Sequence, residues 1–425
     1  MIATVVASLI LFGQGVPSAG QFEIAERVKD FDRVWLRTTD KSRKLAALPF
    51  LTTATAFYRD KQFSEACREL DSATAALNGK QSGSEDAISL RFDPPFVEPR
   101  TSAKLRVTWA YTPKTNRTVR VSVGSKTVIA TPGRSLVIEV RPEGLNPDIL
   151  QNPEVGYLMP VLVGAEERSV FLSIIKKPIA RLASLKTSKN PEADTLAGFL
   201  AAVFNDPDSL QEEVPLIQYL FTAELLDEGR LRLDRADSLP FLEFNNSIFR
   251  VAFPRGSKGP LDVVIGLPGP LGTENTYFEA YGHGMAATEA IKRDWAFIGV
   301  RNDPNAIQNA LEWLRTRRKQ PIRRVFLLGH EDGADLALAT AKGKTKFEAI
   351  AALDPTLTTL SDPPNIPIYF AFGRQTISEQ GARSMEGELN GNKNYEVVEM
   401  DSSSGLALVP EALSGVYRFF DARAK

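Results

Sequence analysis

Apolar positions near the start of the chain recur at helical spacing. Phe22, Ala25 and Val28, then Phe31 and Trp35, follow at three- and four-residue steps, which puts them on one face of a helix. Comparable patterns run from about Leu45 to Tyr58 and from Phe63 to Leu77, where Asn78-Gly79 supplies a C-terminal stop. Beyond a polar linker at residues 79–85 the period falls to two. Leu105, Val107 and Trp109 alternate with polar residues, as do Val119, Val121 and Val123, then Leu136, Ile138 and Val140, and finally Val170, Leu172 and Ile174. Gly124-Ser125 fits a tight hairpin turn with glycine first. Six or seven short strands of this kind predict an immunoglobulin-like β-sandwich.

Helical spacing returns over residues 180–235. There Ser209-Leu210-Gln211-Glu212 reads as a capping box ahead of Leu216, Tyr219 and Leu220. From about Phe241 strand-like and helix-like runs alternate. The strands are expected at Val263–Leu267, Ala296–Val300, Val325–Leu328, Ala349–Leu353, Ile368–Phe372 and Glu396–Met400. Such alternation calls for a mostly parallel sheet with helices on both faces, and ligands bind such folds at the strands' C-terminal edge. The expected layout is therefore multidomain: a leader over residues 1–20, a helical module over 21–84, the sandwich over 85–178, a helical connector over 179–235 and an α/β domain over 236–425.

Composition changes this picture at the N-terminus. Met1 to Gly15 carry no charge, Ile2–Phe12 is apolar, and Ser18-Ala19-Gly20 supplies small residues, so a signal peptide cleaved near Gly20 is expected. That predicts a secreted or periplasmic protein. No later stretch reaches the roughly 18 apolar residues of a membrane span. The net charge of −1 offers no bulk attraction for nucleic acid. The lone Cys67 falls in phase with Phe63, Leu70 and Ala73 and reads as a small buried hydrophobe. The stretch Ala56 to Ala73 resembles one tetratricopeptide-type hairpin, but its period does not recur, so a plain helical packing module is expected.

Candidate chemistry sits at Val325-Phe326-Leu327-Leu328-Gly329-His330-Glu331-Asp332-Gly333-Ala334. A strand entering Gly-His-x-x-Gly and then a helix resembles the nucleophile elbow of the α/β-hydrolase family. Gly329, Gly333 and Ala334 are small enough for strand and helix to approach at such a turn. Leu267-Pro268-Gly269-Pro270-Leu271-Gly272, directly after a strand, is similar to the family's oxyanion loop, and Trp295–Arg301 extends the likeness to exported esterases and prolyl-oligopeptidase-like peptidases. The resemblance covers roughly residues 241–425.

Acyl transfer in that family takes a Ser or Cys nucleophile, a His base and an orienting acid. The resemblance places Glu331 at the nucleophile position and Thr376 where the acid is expected. The loop Asp401–Ala407, expected to carry the base, has no histidine. The chain holds two histidines, His283 and His330; the latter precedes the nucleophile position, where the family's histidine is not the base. Pro268 replaces the oxyanion loop's usual histidine, and Pro270 removes a backbone donor.

Polar residues expected near this edge are Glu331, Asp332, Arg301, Asp303, Asp354 and Arg374. Of these Glu331, Arg301 and Arg374, with His283, form the candidate degenerate pocket, in which an Arg beside Glu331 would fill the former site by ion pairing. Neither a metal-ligand spacing nor a cofactor motif is read. The expectation is a non-catalytic binding or scaffold pseudoenzyme whose partner is a protein, a peptide or a small ester-like ligand. The alternative is an unconventional esterase or peptidase with a relocated site or with Glu331 as a carboxylate nucleophile.

Overall fold

The computed structural model describes residues 19–424 except 116, 146–153, 258, 344, 358, 360–363, 375–378, 390–392 and 402–404. The expected leader through residue 18, Thr376, and Ser402 to Ser404 therefore lie outside the described residues.

Three helices open the chain: α1 (Gln21–Arg37), α2 (Lys41–Arg59) and α3 (Phe63–Leu77). Asp40 starts α2 by accepting the backbone N–H groups of Ser42 and Arg43, satisfying two of the donors that a helix start leaves free. Cys67 is fully buried in α3, and burial pushes its thiol up to about 12. Eight strands follow: β1 (Ile88–Phe92), β2 (Phe96–Val97), β3 (Ala103–Trp109), β4 (Val119–Val123), β5 (Lys126–Ala130), β6 (Leu136–Val140), β7 (Val155–Val163) and β8 (Glu166–Ile174). They form one sheet ordered β1-β3-β6 and another ordered β2-β8-β7-β4-β5. Alternate residues such as Leu105, Val107, Val121, Val161 and Leu172 point inward, and they share one continuous hydrophobic cluster with Phe31, Trp35, Leu51 and Leu70 of the helices. Gly124 takes φ 56° in the hairpin between β4 and β5, a region where glycine meets no Cβ penalty.

A short helix α4 (Pro142–Leu145) precedes β7; α5 (Pro178–Leu185), α6 (Pro191–Asn205) and α7 (Leu216–Asp227) follow β8. The capping box expected at Ser209 is not used. Ser209 ends a single 3-10 turn, α7 begins only after Pro215, and the Glu212 carboxylate turns away to take hydrogen bonds from Thr273 Oγ1 and Asn275 Nδ2, each at 2.9 Å. Buried Asn275 and half-buried Thr273 supply donors that outweigh the local cap.

The second half is a multidomain α/β chain's mixed sheet. Its strands are β9 (Ser238–Phe244), β10 (Ser247–Ala252), β11 (Leu261–Leu267), β12 (Ala296–Val300), β13 (Ile322–His330), β14 (Ala349–Leu353), β15 (Ile368–Gly373) and β16 (Tyr395–Met400). The spatial order is β16-β15-β14-β13-β11-β12-β10-β9. The β9–β10 and β10–β12 pairings are antiparallel; β12–β11, β11–β13, β13–β14, β14–β15 and β15–β16 are parallel. Its central strands are mostly apolar because both faces are covered; the exception at their N-terminal end is buried Asp262 of β11, which pairs with Arg323 and Arg324 of β13. Val263, Ile265, Leu327 and Phe370 pack with α5–α7, α10 (Ala306–Thr316), α11 (Asp332–Thr340) and α12 (Glu379–Leu389). Val264, Phe326, Leu328 and Tyr369 pack on the other face with α9 (Met285–Lys292) and α13 (Leu408–Arg423); a four-residue helix, α8 (Thr276–Glu279), precedes α9. Among the described residues no helix is long and apolar enough to cross a membrane.

Candidate functional site

Parallel strands β13, β14 and β15 end at the same edge, and β13 passes there directly into α11. Glu331 sits in that turn with φ 50° and ψ −120°, a strained conformation for a residue with a Cβ. Its N–H donates to the Leu353 carbonyl at 2.9 Å, which fixes the turn to the neighbouring strand. Close approach is a steric necessity here. A Cβ on Gly329 would lie 2.4 Å from the Gly333 oxygen, and one on Gly333 would lie 2.2 Å from the Leu267 oxygen.

Glu331 is only 7% exposed, and a buried carboxylate needs a partner. Its partner is Arg59, the last residue of α2, whose Nη2 lies 3.0 Å from Oε2 and 4.0 Å from Oδ1 of the exposed Asp332. The cation expected beside Glu331 is thus neither Arg301 nor Arg374. Arg301 pairs with buried Glu274, its Nε at 2.5 Å from Oε2, and Arg374 lies on the surface with Glu399 and Asp401. His283 is also exposed and does not line the cavity beside Glu331. Asp303 accepts a hydrogen bond from Ser247. Of the expected pocket residues, the structure brings together Glu331, His330 and the flanking glycines, and adds Arg59 from another part of the chain.

His330 is 1% exposed. Its Nδ1 lies 2.7 Å from the Tyr281 hydroxyl, whose oxygen also accepts the Gly269 N–H at 3.2 Å. Nε2 has no hydrogen-bond partner, and Glu331 Oε1 is 3.9 Å away. Burial lowers the His330 pKa, only partly offset by Glu331, so the ring is neutral. The Gly269 N–H, in the loop matched to an oxyanion loop, is committed to Tyr281. Asp354, just after β14, accepts N–H groups from Gly373 at 3.0 Å and Gly405 at 3.1 Å, tying the ends of β14 and β15 to the turn before the last helix. Burial pushes its carboxyl up to about 8, against the lowering effect of those N–H groups.

The helical module reaches over this edge. Asp32 of α1, fully buried, accepts the Gly282 N–H at 3.1 Å in a turn where Tyr281, Gly282, His283 and Gly284 all have positive φ. Trp35 Nε1 and Lys44 Nζ both reach Glu411 of α13, at 3.0 and 2.6 Å. Between module and edge lies a cavity of about 120 Å³ lined by Ile24, Val28, Ala54, Leu70, Leu271 and Leu406, with His330 and Glu331 on its wall. Arg59 and this cover were missed from sequence, because periodicity shows which face of α2 is apolar but not what its last residue meets.

No family model and no curated protein matches the chain. Among solved structures it is similar to Est1E from Butyrivibrio proteoclasticus, with 12% identity, 45% of this chain and 100% of that one covered, and a TM-score of 0.35. The Pyrococcus furiosus esterase Pf2001 gives 12%, 45%, 94% and 0.36, and an S-formylglutathione hydrolase from Agrobacterium tumefaciens gives 13%, 44%, 94% and 0.37. The α/β-hydrolase type of fold rests on this chain's own strand order and elbow.

Proposed function

We propose that this is an exported protein whose hydrolase-type domain binds a ligand or partner and does not turn over esters. The observation that carries the reading is the Arg59–Glu331 ion pair at the elbow, where acyl transfer needs a free nucleophile. His330 adds support: its Nδ1 is engaged by Tyr281, and its Nε2 stands beyond hydrogen-bonding reach of Glu331. The other histidine, His283, is exposed and does not line the cavity. A carboxylate-nucleophile enzyme would still need a base to activate water, which disfavours that alternative. On the same reading residues 85–178 are an immunoglobulin-like module that presents or positions a partner, and two antiparallel-rich sheets over one core support it.

The test is a panel of short-chain chromogenic esters and aminopeptide substrates given to the protein starting at Gln21, beside Glu331→Gln. Equal, background-level rates are expected. Turnover that vanishes in Glu331→Gln would make the carboxylate catalytic and end the reading. For export, N-terminal sequencing of the expressed full chain should start at Gln21; an intact Met1 in the cytoplasm would refute it.

A further inference from the structure

A second cleft, of about 860 Å³, opens at the N-terminal ends of β11 and β13, the edge of the sheet opposite Glu331. Its walls come from the connector around the turn Leu233–Arg235, from the loop at Gly256 and Ser257, and from residues 317–320 after α10. Five cations line it against one carboxylate, Asp234. Arg232 pairs with Asp234 at 2.9 Å, and Arg317 with Glu192 at 3.1 Å. Arg235, Arg318 and Lys319 have no ion pair among the described residues.

Arg318 is 4% exposed, and a buried guanidinium ordinarily sits against a carboxylate. Here Nη1 donates to the Leu233 and Ala236 carbonyls, and the Phe253 ring covers one face of the group, its centroid 3.4 Å from Cζ. Neutral acceptors and a ring hold the group in place without cancelling its charge. The carboxylates that act on it, Asp234 and Asp237, are bound to Arg232 and Arg255. Burial pushes its pKa down to about 10, which still leaves it charged at neutral pH. Nε is enclosed without a partner, whereas Nη2 is neither hydrogen-bonded nor enclosed. Nη2 is thus the donor that Arg318 has open, and the exposed Arg235 and Lys319 line the same cleft.

We propose that this cleft binds the phosphate group of a small phosphate monoester, with Arg318 Nη2 as the buried anchor and Arg235 and Lys319 as the outer cations. Three unpaired cations suit a dianion better than the single charge of a carboxylate. A carboxylate also prefers a two-pronged edge of the arginine fork, and here Nε is closed off while Nη1 is held by two carbonyls. The oxygens of a tetrahedral phosphate diverge, so separate oxygens can meet donors on different walls. Leu231 and Leu233 leave apolar wall for the organic part of the ester. The site is independent of the elbow, since the nine residues of β13 separate the two.

The experiment is calorimetric titration of the chain from Gln21 onward with phenyl phosphate, inorganic phosphate and benzoate at pH 7.5 and constant ionic strength. Phenyl phosphate should bind at least about tenfold tighter than benzoate, and tighter than inorganic phosphate. Arg318→Gln should weaken phenyl phosphate roughly tenfold or more. Arg235→Gln and Lys319→Asn, both at exposed positions, should each weaken it about threefold to tenfold, and asparagine tolerates the φ of 58° or so that residue 319 adopts. These two keep the test sound if Arg318→Gln fails to fold. Arg315→Gln removes the same charge from an exposed position of α10 off the cleft and should leave binding unchanged. Benzoate binding as tightly as phenyl phosphate would overturn the proposal, and so would no binding of phenyl phosphate. An equal loss in Arg315→Gln and Lys319→Asn would overturn it too, by making the attraction one of bulk charge. Inorganic phosphate binding as tightly as phenyl phosphate would overturn the monoester as the occupant.

Discussion

Arg59 Nη2 lies 3.0 Å from Glu331 Oε2, joining the end of α2 to a turn 272 residues further along the chain. The pair does two things at once. It neutralises a carboxylate that the elbow geometry buries, and it pins the helical module over the strand edge. Arg59 is about one quarter exposed, so part of the Coulomb energy is screened, but Glu331 has no such access to water.

Removing one partner should therefore cost more than removing both. Arg59→Met leaves a buried carboxylate facing the cavity and is expected to cost about 1–3 kcal/mol. Glu331→Gln should cost less, because the amide can still accept from Arg59. A double-mutant cycle followed by urea unfolding should give a coupling of about 1–2 kcal/mol that shrinks in high salt. Strict additivity would mean that the two side chains are near each other without depending on each other.

Asp32 predicts a pH dependence of opposite sense to an ordinary ion-paired carboxylate. Burial raises its pKa from 3.8 to about 7, and the only opposing influences are the Gly282 and Tyr281 N–H groups. The unfolded chain ionises Asp32 near pH 4, whereas the folded chain holds the proton until about pH 7. Its contribution is thus fully present below pH 4 and is lost as pH rises toward 7. The shift sets a ceiling of about 4 kcal/mol, which relaxation and water entry will reduce. Asp32→Asn keeps an acceptor for Gly282 and should be roughly 1–3 kcal/mol more stable than the parent at pH 8, converging with it near pH 4. Melting temperatures measured across that range check this, and a constant difference would show that Asp32 titrates normally.

Much of this architecture was legible in the sequence, and the gaps have physical reasons. Helix α3 keeps its apolar residues in phase and ends where Asn78-Gly79 stops it. Strands β11 to β16 read as short apolar runs because two covered faces demand them. The hairpin of β9 and β10 is not among the strands expected from the sequence, although Asn245 and Asn246 both take positive φ in its turn and Phe249 and Val251 alternate inward. Glu331 at a strained turn was visible from its small neighbours. Arg59 was not, since an arginine ending an exposed-looking helix gives no sign of a distant carboxylate. Glu212 shows the same limit: its local spacing fitted a cap, and tertiary donors claimed it instead.

The strand-to-helix turn makes a last prediction about methyl groups. Gly333→Ala would place a Cβ 2.2 Å from the Leu267 oxygen and 2.4 Å from the Pro268 oxygen. Both are backbone atoms of β11 and the loop beyond it, so the clash cannot be relieved by turning a side chain. The loop would have to leave the elbow, taking Gly269 and its hydrogen bond to Tyr281 with it. The expected loss is about 3 kcal/mol or more, or failure to fold. Gly387→Ala adds the same methyl to an exposed position in α12 where nothing lies within 4 Å, and alanine is the better helix former. That variant should gain roughly 0.5–1 kcal/mol. Urea midpoints of the two variants beside the parent decide the matter: opposite signs support the tight approach of β11 and α11, and a neutral Gly333→Ala would mean that the turn is wider than its backbone distances require.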